Sequence, residues 1–265
     1  MNDLLDRHSI YLKYLLLLSF ITFVILFVAT TAHGAWYPDS NWQYRKQITI
    51  QGSEVTGGPH ASFPVLIQLA TDADLAADAQ DDGDDILFTS ADETTKIPHE
   101  IESFNGSTGA LVAWVKVDLN ANPTNTVIYM YYGYSSASNQ QNAGNVWSDY
   151  KGVWHLNEAV SDESTAGTHY DSTSNNNDGT QHNNNDATGK IARGQDFDGD
   201  NDYISVPSNS SLQPTTVVTL SGWIKLGSFG SGDEVDPIIR KGEDNNNNYQ
   251  LIVDDQKAQL VLDGG

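Results

Sequence analysis

Between Tyr44 and Tyr132 the chain breaks into six short runs that suit extended backbone and leave no room for a long helix. Tyr44 to Ile50 (YRKQITI) alternates apolar and polar residues, and Phe63 to Leu69 (FPVLIQL) is an apolar run of strand length. Asp85 to Thr89 (DILFT), Lys96 to Ile101 (KIPHEI), Ala110 to Val117 (ALVAWVKV) and Thr126 to Tyr132 (TVIYMYY) follow. Turn-forming pieces separate them, among them Gly57-Gly58-Pro59, Asp81-Asp82-Gly83 and Asn105-Gly106. Strands at this spacing predict a β-sandwich over residues 36–148. Asp74 to Ala79 is the one place in it for a helical turn.

What precedes this region is of another kind. Residues 14–29 (YLLLLSFITFVILFVA) form an apolar run behind Arg7 and Lys13, and the small residues Ala32, Gly34 and Ala35 follow. This is the pattern of a hydrophobic leader helix, so residues 1–35 are expected to be a signal peptide or a membrane anchor. The expected destination is the periplasm, the cell surface or the extracellular space, with inner-membrane tethering if the leader is retained. The chain has no cysteine, which excludes disulfides, thiolate metal sites and a cysteine nucleophile. With 35 acidic against 13 basic residues its net charge is −22. A chain so acidic repels nucleic acid and anionic lipid, so neither is an expected partner.

From Lys151 onward a series of landmarks falls in a fixed order. Gly152-Val153-Trp154-His155-Leu156-Asn157-Glu158 opens it, followed by Asp171 to Thr180 (DSTSNNNDGT) and Gly189-Lys190-Ile191. Phe197-Asp198-Gly199, Asp202 to Val206 (DYISV) and Thr219 to Lys225 (TLSGWIK) complete it. The series resembles the laminin-G-like, concanavalin A-like jelly-roll modules of bacterial surface and secreted proteins. The resemblance implies an all-β fold over residues 149–265 and a binding rather than a catalytic role. Further strands are expected near Pro237 to Lys241, Tyr249 to Val253 and Gln259 to Leu262. Residues 172–188 are expected to form a long exposed loop. Such a module has more strands than these, so the jelly roll is expected to be incomplete and the chain part of a longer one.

The first region carries a resemblance of its own. Trp42-x-Tyr44-Arg45-Lys46-x-Ile48-Thr49-Ile50, Phe63 to Ile67, Asp84-Asp85-Ile86-x-Phe88-Thr89, Ala113 to Val117 and Tyr129 to Gly133 are similar to a bacterial domain of unknown function. That domain often precedes jelly-roll modules, and some of its members continue into a membrane channel of the TolQ/ExbB proton-channel type. Two main readings of function follow, with a glycoside hydrolase, which such a fold can host, as a third. One is a non-enzymatic exported binding protein that recognises carbohydrate or another surface polymer, as an adhesin does. The other is the periplasmic N-terminal region of a TolQ/ExbB-type membrane protein.

The candidate chemistry is sparse. Asp198, Asp200 and Asp202 recur at alternate positions, and closely spaced carboxylates in a loop suit the oxygen-rich shell of Ca²⁺. The jelly-roll resemblance adds Asp171, giving Asp171, Asp198, Asp200 and Asp202 as candidate ligands of a structural Ca²⁺. The same string reads equally as a tight acidic turn. Glu100 and Glu102 share one face of a probable strand roughly 6–7 Å apart, a spacing that glycoside hydrolases use. Yet no Glu-x-Asp-x-x-Glu strand occurs, and exposed carboxylates explain the pair as well. No catalytic motif emerges. Of the six tryptophans, Trp114 and Trp223 lie in apolar strands and are expected in the core.

Overall fold

The computed structural model describes residues 26–29, 41–159, 167–227, 236–243, 246–254 and 257–262. The chain is all-β and divides into two compact units, Met1–Ser148 and Asp149–Gly265.

In the first unit β1 (Leu26–Ala29), β2 (Tyr44–Ile50), β3 (His60–Leu69), β4 (Leu87–Ser90) and β5 (Lys96–Ile97) come first in chain order. β6 (His99–Asn105), β7 (Ala110–Leu119) and β8 (Thr126–Tyr132) follow. A short helix α1 (Ala73–Asp78) follows β3, and α2 (Ala143–Val146) follows β8. Two antiparallel sheets result, in the orders β1-β2-β8-β4-β5 and β3-β7-β6. The period of two is visible in what each buries: Ile48 and Ile50 on β2, Val65 and Ile67 on β3, Ile128 and Met130 on β8. On β7 the odd positions Leu111, Ala113, Val115, Val117 and Leu119 point inward. All of these belong to one apolar cluster, closed by Phe88, Ile86 and Leu75. Each such side chain contributes about 1.5–3 kcal/mol when fully buried.

Two local features differ from the sequence reading and have plain causes. The run from Lys96 to Ile101 is two strands, because Pro98 has no N–H to give a ladder. Its carbonyl still accepts from Lys116 N at 2.9 Å. Residues 26–29, the end of the predicted leader helix, are extended and not helical. They pair antiparallel with β2, from Leu26 opposite Thr49 to Ala29 opposite Lys46, and so occupy an edge that would otherwise be unpaired. The rest of the leader, the small-residue zone and Trp36 lie outside the described residues. Among the described residues no helix is long and apolar enough to cross a membrane.

The second unit contains β9 (Thr168–His169), β10 (Gly179–His182), β11 (Asn185–Thr188), β12 (Arg193–Asp196) and β13 (Tyr203–Ser205). β14 (Asp236–Glu243), β15 (Asn246–Asp254) and β16 (Lys257–Val261) come last. They form three small sheets, β13-β10-β9, β11-β12 and β14-β15-β16. The long exposed loop expected at 172–188 is largely ordered structure. It contributes β10 and β11 and buries Thr173, Asn177, Gln181 and Asn184. Polar side chains go inside here because each makes at least one hydrogen bond, which offsets the loss of water, although Gln181 Oε1 and Asn184 Oδ1 accept none. The strand expected over Thr219–Lys225 does not form, and Trp223 there is 61% exposed. Strand propensity alone does not make a strand where no neighbour supplies a ladder.

Candidate functional site

Asp171 is the organising residue of the second unit. Its backbone bridges Trp154, and its carboxylate is buried. Oδ1 accepts from Val153 N at 2.9 Å and Thr173 N at 3.0 Å. Oδ2 accepts from Thr173 Oγ1 at 2.8 Å and Asn177 N at 2.9 Å. Trp154 Nε1 donates to the Asn177 carbonyl at 2.8 Å, locking the indole onto the same turn. The carboxylate therefore knits segments 151–154 and 171–178 together, and four protein donors occupy its oxygens.

Asp198, Asp200 and Asp202 sit elsewhere, in the exposed turn between β12 and β13. Asp202 Oδ2 accepts from Asp198 N and Asp198 Oδ1 from Asp200 N, both at 2.8 Å. These are the self-contained bonds of a tight turn, in which Gly199 and Asn201 adopt left-handed backbone. Among the described residues no three His, Asp or Glu side chains are placed to hold one metal ion. The structure thus does not bring Asp171 and the three turn aspartates together as one ligand set.

The turn does border an aromatic platform. His182 and Tyr203 face each other across the β10–β13 ladder, with rings stacked at 4.1 Å and 12°. Tyr203 is 52% exposed, and His182 Nε2 lies 2.9 Å from Ser205 Oγ. Beside the rings the Asn183 side chain bonds to the backbone and side-chain oxygens of Asn201. A half-exposed ring with an amide pair beside it results. The jelly-roll resemblance implies core-strand positions for Phe197 and for Tyr203 to Val206; Phe197 and Tyr203 are instead exposed, and Ile204 to Val206 are half-buried.

Behind this platform lies a buried polar chain that sequence reasoning missed. His169, fully buried, has Nδ1 2.8 Å from Glu158 Oε2, while Glu158 Oε1 accepts from Tyr170 N at 2.8 Å. Asn184 Nδ2 lies 3.4 Å from His169 Nε2 and donates to Gln195 Oε1 at 2.8 Å. Burial pushes the Glu158 carboxyl up, but the His169 and Tyr170 hydrogen bonds outweigh it and hold it below its usual range. Glu158 stands in the quoted landmark, but its partners are scattered from 169 to 195, so no spacing rule announces the set.

In the first unit Glu100 and Glu102 are committed to indoles. Trp147 Nε1 donates to Glu100 at 2.5 Å and Trp114 Nε1 to Glu102 at 2.8 Å, and the two rings meet edge to face at 5.3 Å. Trp114 is not in the core but on the outer face of β7, opposite Leu66 and Glu100. Glu100 thereby fixes the α2 segment on the sheet, whereas Glu102 ties β6 to its neighbour β7.

A family profile described as a domain of unknown function (DUF2341) matches residues 82–185. The match holds three of the motifs that carry the first-region resemblance, from Asp84 to Gly133. It also contains the indole–carboxylate pairs and the whole Asp171 turn. It crosses from the first unit into the second, so the family's span and the compact units differ in their bounds. Of the aromatic platform, His182 and Asn183 lie within it and Asn201 and Tyr203 beyond it. No curated protein and no solved structure matches the chain.

Proposed function

We propose that this is an exported, non-enzymatic binding protein that recognises carbohydrate or another surface polymer through the exposed edge of its second unit. The observation that carries the reading is the half-exposed Tyr203 ring, stacked on His182 and next to the bonded Asn183–Asn201 pair. An aromatic face packs on the C–H surface of a sugar ring, and neighbouring amides and carboxylates accept and donate to its hydroxyls. The net charge of −22 favours neutral or amine-bearing polymers over polyanionic ones. Two sheets sharing one core support a β-sandwich for the first unit, and the short antiparallel sheets support a jelly roll for the second.

The test is binding of the chain to an array of neutral, amine-bearing and acidic polysaccharides, repeated with Tyr203→Ala. Binding to the first two classes that weakens about tenfold or more in the variant supports the reading, as loss of one stacking ring should give. Silence across the array, or binding indifferent to Tyr203, overturns it.

A further inference from the structure

Lys46 lies on the inward face of β2, in line with Ile48 and Ile50, and is 5% exposed. A lysine is seldom buried this far without a specific partner. Its Nζ contacts both carboxylate oxygens of Asp72 and lies 3.0 Å from Asp74 Oδ2. Asp72 is itself nearly buried, with its side chain 11% exposed. Its Oδ1 also accepts from the backbone N–H groups of Asp74 at 3.1 Å and Leu75 at 3.0 Å. The Asp72 backbone is fixed as tightly as its side chain. Asp72 N donates to the Thr108 carbonyl at 2.9 Å, and its own carbonyl crowds Gly109 so closely that no Cβ fits there. The Tyr132 ring closes the other side, 5.9 Å from Nζ.

A buried amine pressed on a buried carboxyl, with a second carboxylate beside it, is an arrangement that can condense. We propose that Lys46 and Asp72 form an intramolecular isopeptide bond, with Asp74 as the proton-transfer group. Nζ attacks Cγ of Asp72, and the negative charge that develops on Oδ1 falls on the N–H groups of Asp74 and Leu75, which already point at it. Asp74 takes a proton from Nζ and hands it to Oδ2. The Cγ–Oδ2 bond then breaks, the Nζ–Cγ amide bond remains, and Oδ2 leaves as water. The ammonium has given up two of its three protons, both now in that water. Asp74 ends as it began, and nothing is oxidised or reduced. Fixed neighbours replace the encounter that makes amide formation slow in water, and the buried setting disfavours the reverse hydrolysis.

The bond would join β2 to the segment that begins α1, closing a loop across 26 positions of sequence. In a chain with no cysteine it would supply a covalent tie that disulfides give other exported proteins.

The experiment is mass spectrometry of the full chain under denaturing conditions, followed by tryptic mapping. The proposal expects a mass one water below that of the sequence with the same termini. Trypsin should no longer cut after Lys46, and one branched peptide should carry both Lys46 and Asp72. Lys46→Arg keeps the positive charge but cannot form the amide, so it separates a cross-link from an ion pair. It should restore the missing water and lower the melting temperature by roughly 10 °C. Asp74→Ala should leave a population at full mass. A wild-type chain at full mass, cut normally at Lys46, overturns the proposal and leaves a buried ion pair. The readout on the wild-type chain needs no variant to fold.

Discussion

The two units solve the problem of an interior in opposite ways. The first buries aliphatic and aromatic side chains from two sheets in one cluster, and its buried polar groups are few and, His99 apart, individually tied. Asp85 shows the pattern, accepting from the backbone N–H groups of Gln80, Gly133 and Tyr134. In the second unit the buried polar set is His169, Asp171, Thr173, Asn177, Gln181 and Asn184; Tyr249, Ile252 and Val253 on β15 are buried too, while Val217, Trp223, Ile224 and Leu262 face outward. Hydrophobic burial is tolerant of direction, whereas a hydrogen-bonded interior holds only if each partner is present and aligned. The first unit should therefore fail gradually as apolar volume is removed. The second should fail at a single hub.

The largest effect is expected from Phe88→Ala, which empties a fully buried site among Ile97, Met130 and His99. It should destabilise the first unit by about 4 kcal/mol, read by denaturant unfolding followed through Trp114 and Trp147. A loss under about 1 kcal/mol would break the contrast, since the core would not be the first unit's main support. Next comes Asp171→Ala, which strands four donors and should cost the second unit about 3 kcal/mol. Hydrogen exchange should show segments 151–154 and 171–178 opening while β2 and β8 keep their protection. Equal opening of both units would show that they do not differ as described.

A smaller effect is expected from acid. Burial, aided by the Lys96 charge and opposed by the Ile86 backbone, lowers the His99 pKa from 6.5 to about 3. Neither ring nitrogen meets full hydrogen-bond geometry. Folding therefore favours the neutral ring, and the unfolded chain binds the extra proton. That contribution is complete above the unfolded pKa of 6.5 and is lost as pH falls toward about 3. The first unit should lose roughly 2–3 kcal/mol between neutral pH and about pH 4, and His99→Leu should flatten that slope. An unchanged slope in the variant would place the acid sensitivity elsewhere.

How much of this was legible depended on where the partners sit in the chain. β2 and β8 have the bounds that alternation predicts, because one face of each is buried and a period of two records it directly. The helical turn at Asp74 to Ala79 lies within one residue of α1. Trp114 was misplaced although a signal existed: it shares parity with Lys116 and Asp118, which mark the outer face of β7. The Asp171 hub was hidden for a different reason. Its four donors come from Val153, Thr173 and Asn177, and a run rich in Ser, Asn and Asp reads as a solvated loop until its geometry is known. The Tyr203 platform was equally hidden, since which face of a short strand is covered depends on neighbours outside its own sequence.

One feature of the first sheet links its integrity to processing. β1 lies upstream of Ala35, within the apolar run that reads as a leader, and it covers the free edge of β2 from Lys46 to Thr49. A chain cut after Ala35 loses that strand and bares a row of backbone donors and acceptors. With β1 in place the sheet guards that edge against pairing with other chains, and removal of residues 1–35 would open it as a place for a foreign strand to add.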